Sequence, residues 1–193
     1  IAEHGQYPTN AKGQKQYPRY RFFKEMVKVF ERSGRAVPVF NDKHYSTRWE
    51  ECVEMVEDSH RLGFPLLAGS SLPVTWRIPS IDMPWNSDLK ESVCVCYGGV
   101  DSYDIHGLET AQCMSERRHG GEAGVRSVHA MRGKKVWDQL ASRATTEQLL
   151  IAALNRSHQC RPPSGGPWRP PSAEWIQEAC PNPVAYWIEH QDG

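Results

Sequence analysis

Apolar side chains recur at Phe22, Phe23, Met26, Val27 and Phe30. This three-and-four spacing predicts a helix over residues 20–33, with Gly34 as its stop. An apolar run then predicts a short buried strand over 36–40. Trp49, Cys52, Val53 and Val56 mark one face of a second helix over 47–62, capped by Ser46 or Thr47 and closed by Gly63. Residues 64–68 read as a second strand. Helix, strand, helix, strand with short connections implies parallel pairing, and Ile1-Ala2 reads as the tail of a strand before them.

Residues 69–90 break this rhythm. Pro73, Pro79 and Pro84 alternate with Trp76 and Trp85 in a long ordered excursion. Beyond it the pattern predicts a strand over 92–97, a helix over 105–118, a weak strand over 125–131 and a helix over 145–156 with Leu149, Leu150, Ala153 and Leu154 inward. The run RPPSGGPWRPP, residues 161–171, excludes helix and central strand. Ser172 then caps a short helix ending near Cys180, and 184–190 alternates as a strand. The fold class is α/β: a partial doubly wound parallel sheet followed by an α+β layer. The expected divisions are 1–72, the remainder of a Rossmann-like domain; 73–160, an α+β substrate domain; and 161–193, a proline-rich linker with a short helix and strand. The abrupt start, and a terminal Asp-Gly hairpin signal with no return strand, predict a piece of a longer protein.

Composition narrows the function classes. Lys plus Arg and Asp plus Glu number 23 each, so no whole-molecule field draws the chain to nucleic acid or an anionic membrane. The basic stretch Lys12, Lys15, Arg19, Arg21 is too short for a nucleic-acid site. No segment reads as a membrane span or signal peptide, and the expected location is the cytoplasm. The six cysteines form no CxxC pair. Cys94 and Cys96 share one face of the 92–97 strand, so buried reduced thiols are expected.

The chemistry gathers at strand ends, where parallel α/β sheets bind ligands. Glu3-His4-Gly5 follows the first strand, Asn41-Asp42-Lys43-His44 the second and Gly69-Ser70-Ser71 the third. A second constellation follows Gly98-Gly99, where Asp101, Tyr103, Asp104, His106 and Glu109 open a helix. His106 and Glu109 are three residues apart and share a face, so the carboxylate is placed to orient the imidazole for acid–base work or metal ligation.

The strings EHGQYPTNAKGQKQYPRY, VPVFNDKH, LAGSSLPVTWR and YGGVDSYDIHGLETAQCMSERRHGGEAGV resemble an uncharacterised bacterial family whose architecture is similar to the Gfo/Idh/MocA dehydrogenases. The resemblance covers most of residues 1–137. In those dehydrogenases a strand commonly ends in Glu-Lys-Pro, whose lysine assists proton transfer; the matching place here is Glu3-His4-Gly5. A helix-opening histidine followed three residues later by an acid matches His106 and Glu109. The family's glycine-rich nucleotide turn would precede Ile1, and no GxGxxG occurs in the chain.

The resemblance therefore implies an oxidoreductase acting on a sugar- or polyol-like hydroxyl, with NAD or NADP held mainly by a segment outside the chain. His106 is the expected acid–base residue, Glu109 its orienter, and His4 and Lys43 polarise the substrate. Glu3, Asn41, Asp42, His44, Tyr103 and Trp76 complete the expected substrate site. The alternative is a metal-dependent lyase, isomerase or hydrolase using Glu3, His4, Asp42, His44 and His106, a donor set suited to zinc, manganese or iron. A third reading is a non-catalytic sugar-binding or scaffold protein. The expected partner is a small polar substrate, neither nucleic acid nor membrane, with self-association into a homo-oligomer left open.

Overall fold

A computed structural model describes residues 5–156 and 170–193. Glu3, His4, the strand expected before them, Cys160, Trp168 and nearly all of the proline-rich run lie outside the described residues. The chain divides into two units, residues 1–75 with 101–109, and residues 76–100 with 110–193. The α/β class is observed; within it, two two-stranded sheets form among the described residues, β1–β2 and β3–β4.

In the first unit, α1 (Arg19–Ser33) buries Phe23, Val27 and Phe30 at four- and three-residue spacing. Strand β1 (Val39–Asp42) pairs in parallel with β2 (Leu66–Gly69), Val39 opposite Leu66 and Asp42 opposite Gly69. Between them runs α2 (Trp49–Leu62). Phe23, Val27, Phe30, Val39, Met55 and Phe64 form one continuous core. Burial of such side chains stabilises by about 1.5–3 kcal/mol each. Gly34 and Gly63 close the two helices in the left-handed conformation.

Three features depart from the sequence pattern. Both strands begin two or three residues later than expected, so Asn41 and Asp42 lie inside β1 rather than after it. The inward face of α2 is Met55, Asp58 and Ser59, while Trp49 is 77% exposed. Charge sets that rotation. Lys24 of α1 reaches Glu54 and Asp58, each at 2.6 Å, and Arg61 pairs with Asp58 at 2.6 Å and Glu31 at 2.9 Å. Burial alone would lower the Lys24 pKa, yet the bonds to Asp58 and Glu54 raise it. Burial likewise opposes ionisation of Asp58, and its bonds to Lys24 and Arg61 bring its pKa below the usual value.

The third departure is in the second unit. Residues 92–97 form no strand, and Cys94 and Cys96 are exposed instead of buried. The alternation there has no partner ladder to bury it, because β3 (Val125–Arg132) pairs antiparallel with β4 (Val184–His190). Cys52, Cys94, Cys96, Cys113 and Cys180 all stand as thiols. Helix α3 (Val100–Ser115) starts five residues before its expected position. An unexpected helix, α4 (Lys134–Ala141), precedes α5 (Ala144–Asn155). Helix α6 (Ala173–Ala179) is capped by the Ser172 hydroxyl, which accepts the Trp175 N–H at 3.2 Å. Arg118, only 7% exposed, grips Asp192 through two bonds at 2.9 and 2.8 Å.

Candidate functional site

The carboxyl ends of β1 and β2 are held together by an extra pair of backbone bonds. Lys43 donates to the Gly69 carbonyl at 3.0 Å and accepts the Gly69 N–H at 2.9 Å. This closure puts Lys43 at φ 69°, in the left-handed region that a side chain disfavours. Its ammonium meets Asp42 Oδ2 at 2.6 Å, and both side chains are about one-third exposed. Lys43, one of the two expected polarising groups, thus stands in a contact ion pair with Asp42 at the strand end.

Gly69 then hands the chain to Ser70 at φ 146°. A Cβ at Gly69 would stand 2.7 Å from Glu109 Oε2, the movable end of a side chain, so it is the backbone conformation that favours glycine there. Ser70 joins the two predicted constellations. Its N–H donates to Glu109 Oε2 at 3.3 Å, and its hydroxyl lies 2.5 Å from His106 Nδ1. The same hydroxyl oxygen accepts the Leu72 N–H at 3.1 Å. Glu109 therefore shares Ser70 with His106, where spacing had predicted a carboxylate oriented directly on the imidazole. Tyr103 lies 6.2 Å from the His106 ring, centroid to centroid. Residues 101–109, the N-terminal part of α3, bring these groups into the first unit.

His44 faces another way. Its Nε2 lies 2.6 Å from Nη1 of Arg19, whose side chain is almost completely buried. A guanidinium has no acceptor, so the imidazole is neutral and Nε2 accepts. Tyr17 packs beneath Arg19 at 4.5 Å and edge-on to His44 at 5.8 Å. Burial first, and the Arg19 charge second, push the His44 pKa down to about 4, against smaller opposing pulls from the Ser46 backbone and Asp101. Asn41 is fully buried and donates from Nδ2 to the His44 carbonyl at 2.7 Å. Asn41 Oδ1 and His44 Nδ1 are buried without a hydrogen-bond partner.

The expected substrate cluster Asn41–His44 thus splits. Asp42 and Lys43 reach the rim beside the residues that join His106, whereas Asn41 and His44 are turned inward as structural groups. Trp76 is 98% exposed and belongs to the second unit. Of the alternative metal set, Glu3 and His4 lie outside the described residues; among the described residues no three His, Cys, Asp or Glu side chains converge to hold an ion. A depression of about 370 Å³ in the first unit is lined by Asn10, Ala11, Lys12, Gln14, Gln16, Thr47 and Arg48, and its lining includes none of Lys43, Ser70 or His106.

Two contributors escaped sequence reasoning in their roles. Ser70 stood in a polar strand end, but its partner His106 is 36 residues away. Arg19 read as part of a basic stretch, and only folding reveals it buried against His44. No protein-family model, curated protein or solved structure matches the chain.

Proposed function

We propose that this chain is the main part of an oxidoreductase of the Gfo/Idh/MocA type, acting on a hydroxyl of a sugar- or polyol-like substrate. The carrying observation is that Ser70 joins His106 and Glu109 to the end of a parallel strand pair whose neighbouring residue is Lys43. In this reading His106 exchanges the proton of the substrate oxygen, and Lys43 offsets negative charge that develops there. Glu109 acts through Ser70 as an orienter, and His4 is assigned a polarising role by resemblance. NAD or NADP would supply hydride acceptance, but residues 1–193 contain no GxGxxG cradle for a pyrophosphate. The proposal therefore gives this chain the proton half of the reaction and leaves dinucleotide binding to a segment outside it.

The same reading takes β1 and β2 as part of a doubly wound sheet. Phe40 and Leu67, paired in register, are 52% and 63% exposed on one face. Parallel sheets are covered on both faces, which supports a further covering layer there. A second reading is a polyol-binding protein that performs no redox chemistry.

Thermal-shift titration with a panel of polyols and aldoses tests the site without requiring the dinucleotide. A ligand at about a hundredfold excess over its dissociation constant stabilises by about 2.7 kcal/mol. The wild type is expected to gain such a shift with at least one ligand, and His106→Asn and Lys43→Met to lose it while melting within a few degrees of wild type. Retention of the shift in both variants would place the ligand elsewhere. Polyol-dependent dinucleotide reduction then separates the oxidoreductase from the binding protein.

A further inference from the structure

We propose that the excursion over residues 76–85 is a self-association surface, through which two copies of this chain pair about a two-fold axis. The inference is independent of the hydroxyl chemistry and lies wholly within the second unit.

Exposed apolar area is the first observation. Trp76 and Ile78 are each 98% exposed, Trp85 70% and Ile81 61%, and Pro79 and Pro84 stand exposed beside them. With about 150–250 Å² for each tryptophan, the six side chains present on the order of 700 Å². The largest apolar patch on a typical monomer is about 300–600 Å², and each partner in a standard interface contributes about 800 Å². Two copies of this patch, face to face, reach the area that a specific dimer needs.

The patch is also held in one shape before a partner arrives. Arg77 pairs with Asp82 across the turn, and Arg117 meets the same carboxylate at 3.5 Å. Arg117 donates to the Met83 carbonyl at 2.7 Å, and its guanidinium lies 4.8 Å over the Trp85 ring. The Ser87 hydroxyl donates to the Pro84 carbonyl at 2.7 Å, and the Ser87 N–H to the Arg117 carbonyl at 3.1 Å. With the loop already tied to residue 117, association has fewer side chains left to order, and the entropy it costs is smaller.

Charge selects the occupant. A two-fold interface sets one surface against itself, so a patch of net charge repels its own copy. Along this excursion and its anchor, Arg77, Lys90 and Arg117 balance Asp82, Asp88 and Glu91. The patch therefore meets its copy without repulsion, apolar face to apolar face. A nucleic acid, an anionic membrane or a strongly charged protein finds no opposite field there to steer it. Tryptophan near arginine is, moreover, the composition of interface centres.

The test is sedimentation velocity of the full chain from about 1 to 100 µM, the range in which the weaker interfaces of this size form. The expected result is a shift from one chain mass toward two. Trp76→Ala should weaken the dimer about thirtyfold, the scale of a hot-spot truncation, and Ile78→Lys should leave a monomer by adding like charge on both copies. Both positions are 98% exposed, so both variants should melt within a few degrees of wild type. Val128→Thr changes an exposed apolar residue of β3 outside the patch and should leave the dimer intact. Backbone N–H groups over 76–85, which exchange fast in dilute protein, should slow as concentration rises. A wild type that stays monomeric throughout overturns the proposal, as does a dimer that survives both patch variants. So does a monomer that binds phosphatidylserine vesicles through Trp76 and Ile78, which would give the patch to a membrane.

Discussion

At the scale of single residues, the site depends on two positions whose demands are opposite. Gly69 disfavours a side chain: at φ 146° a Cβ is strained, and at 2.7 Å it would displace the Glu109 carboxylate. Gly69→Ala is expected to cost more than the roughly 1 kcal/mol of a relaxed glycine substitution, read as a lowered midpoint in urea unfolding. It should also separate Ser70 from Glu109. Lys43 is the converse, a side chain held at φ 69°. Lys43→Gly should be about 1 kcal/mol more stable than Lys43→Ala while both lose the ammonium, so equal stability would deny the backbone strain. His44 supplies the pH dependence. Its pKa falls from 6.5 to about 4 on folding, so the unfolded chain binds the proton first as pH drops. Its contribution is whole above pH 6.5 and drains away as pH falls toward 4. Arg19 and Lys43 oppose the imidazolium and Asp101 favours it. Wild type is expected to lose about 2 kcal/mol more than His44→Gln across that window, after allowance for partial solvent screening. Parallel acid limbs in denaturant melts would refute this.

At the scale of elements, helix α2 shows how a pattern legible in the sequence can be rotated by partners that are not. Trp49, Cys52, Val53 and Val56 formed a plausible inward stripe, but Lys24 and Arg61 gather Glu54 and Asp58 toward α1. The turn of the helix that follows buries Met55 completely and leaves Val53 38% exposed. Met55→Ala should therefore cost about 2–5 kcal/mol, and Val53→Ala less than about 1 kcal/mol. Similar losses for the two would restore the stripe read from the sequence. By contrast α1 keeps Phe23, Val27 and Phe30 of its sequence-derived face buried and leaves Phe22 38% exposed. The strands were legible in kind and in parallel sense, but their starts slipped along the chain by two or three residues. That slip decides which polar groups reach the rim: Asn41 falls on the buried side and Asp42 on the half-exposed side.

At the scale of the whole molecule, the two units differ in how much apolar surface they bury. The first holds a core of six buried hydrophobic side chains, while Ile176 is the buried hydrophobic residue of the second among the described residues. Val74, Trp76, Ile78 and Trp85 are 70–98% exposed along the excursion that follows β2. Hydrogen exchange should accordingly be slowest in α1, α2, β1 and β2 and fastest over residues 72–99, since opening free energy follows buried contacts. Uniform protection across both units would contradict this division. No described helix is long and apolar enough to cross a membrane.

The sequence by itself determined the helices and parallel strands of the first unit, the polar strand ends and the existence of the helix that carries His106. Those features are written in local periodicity and in stop residues such as Gly34 and Gly63. Only tertiary structure decided that His44 turns into Arg19, that residues 92–97 form no strand, and that Ser70 stands between His106 and Glu109. Each of these depends on a partner tens of residues away, or on the lack of one. A pattern of apolar and polar residues specifies which side of an element prefers burial, but the groups that meet there are chosen by packing and by the satisfaction of buried charges and protons.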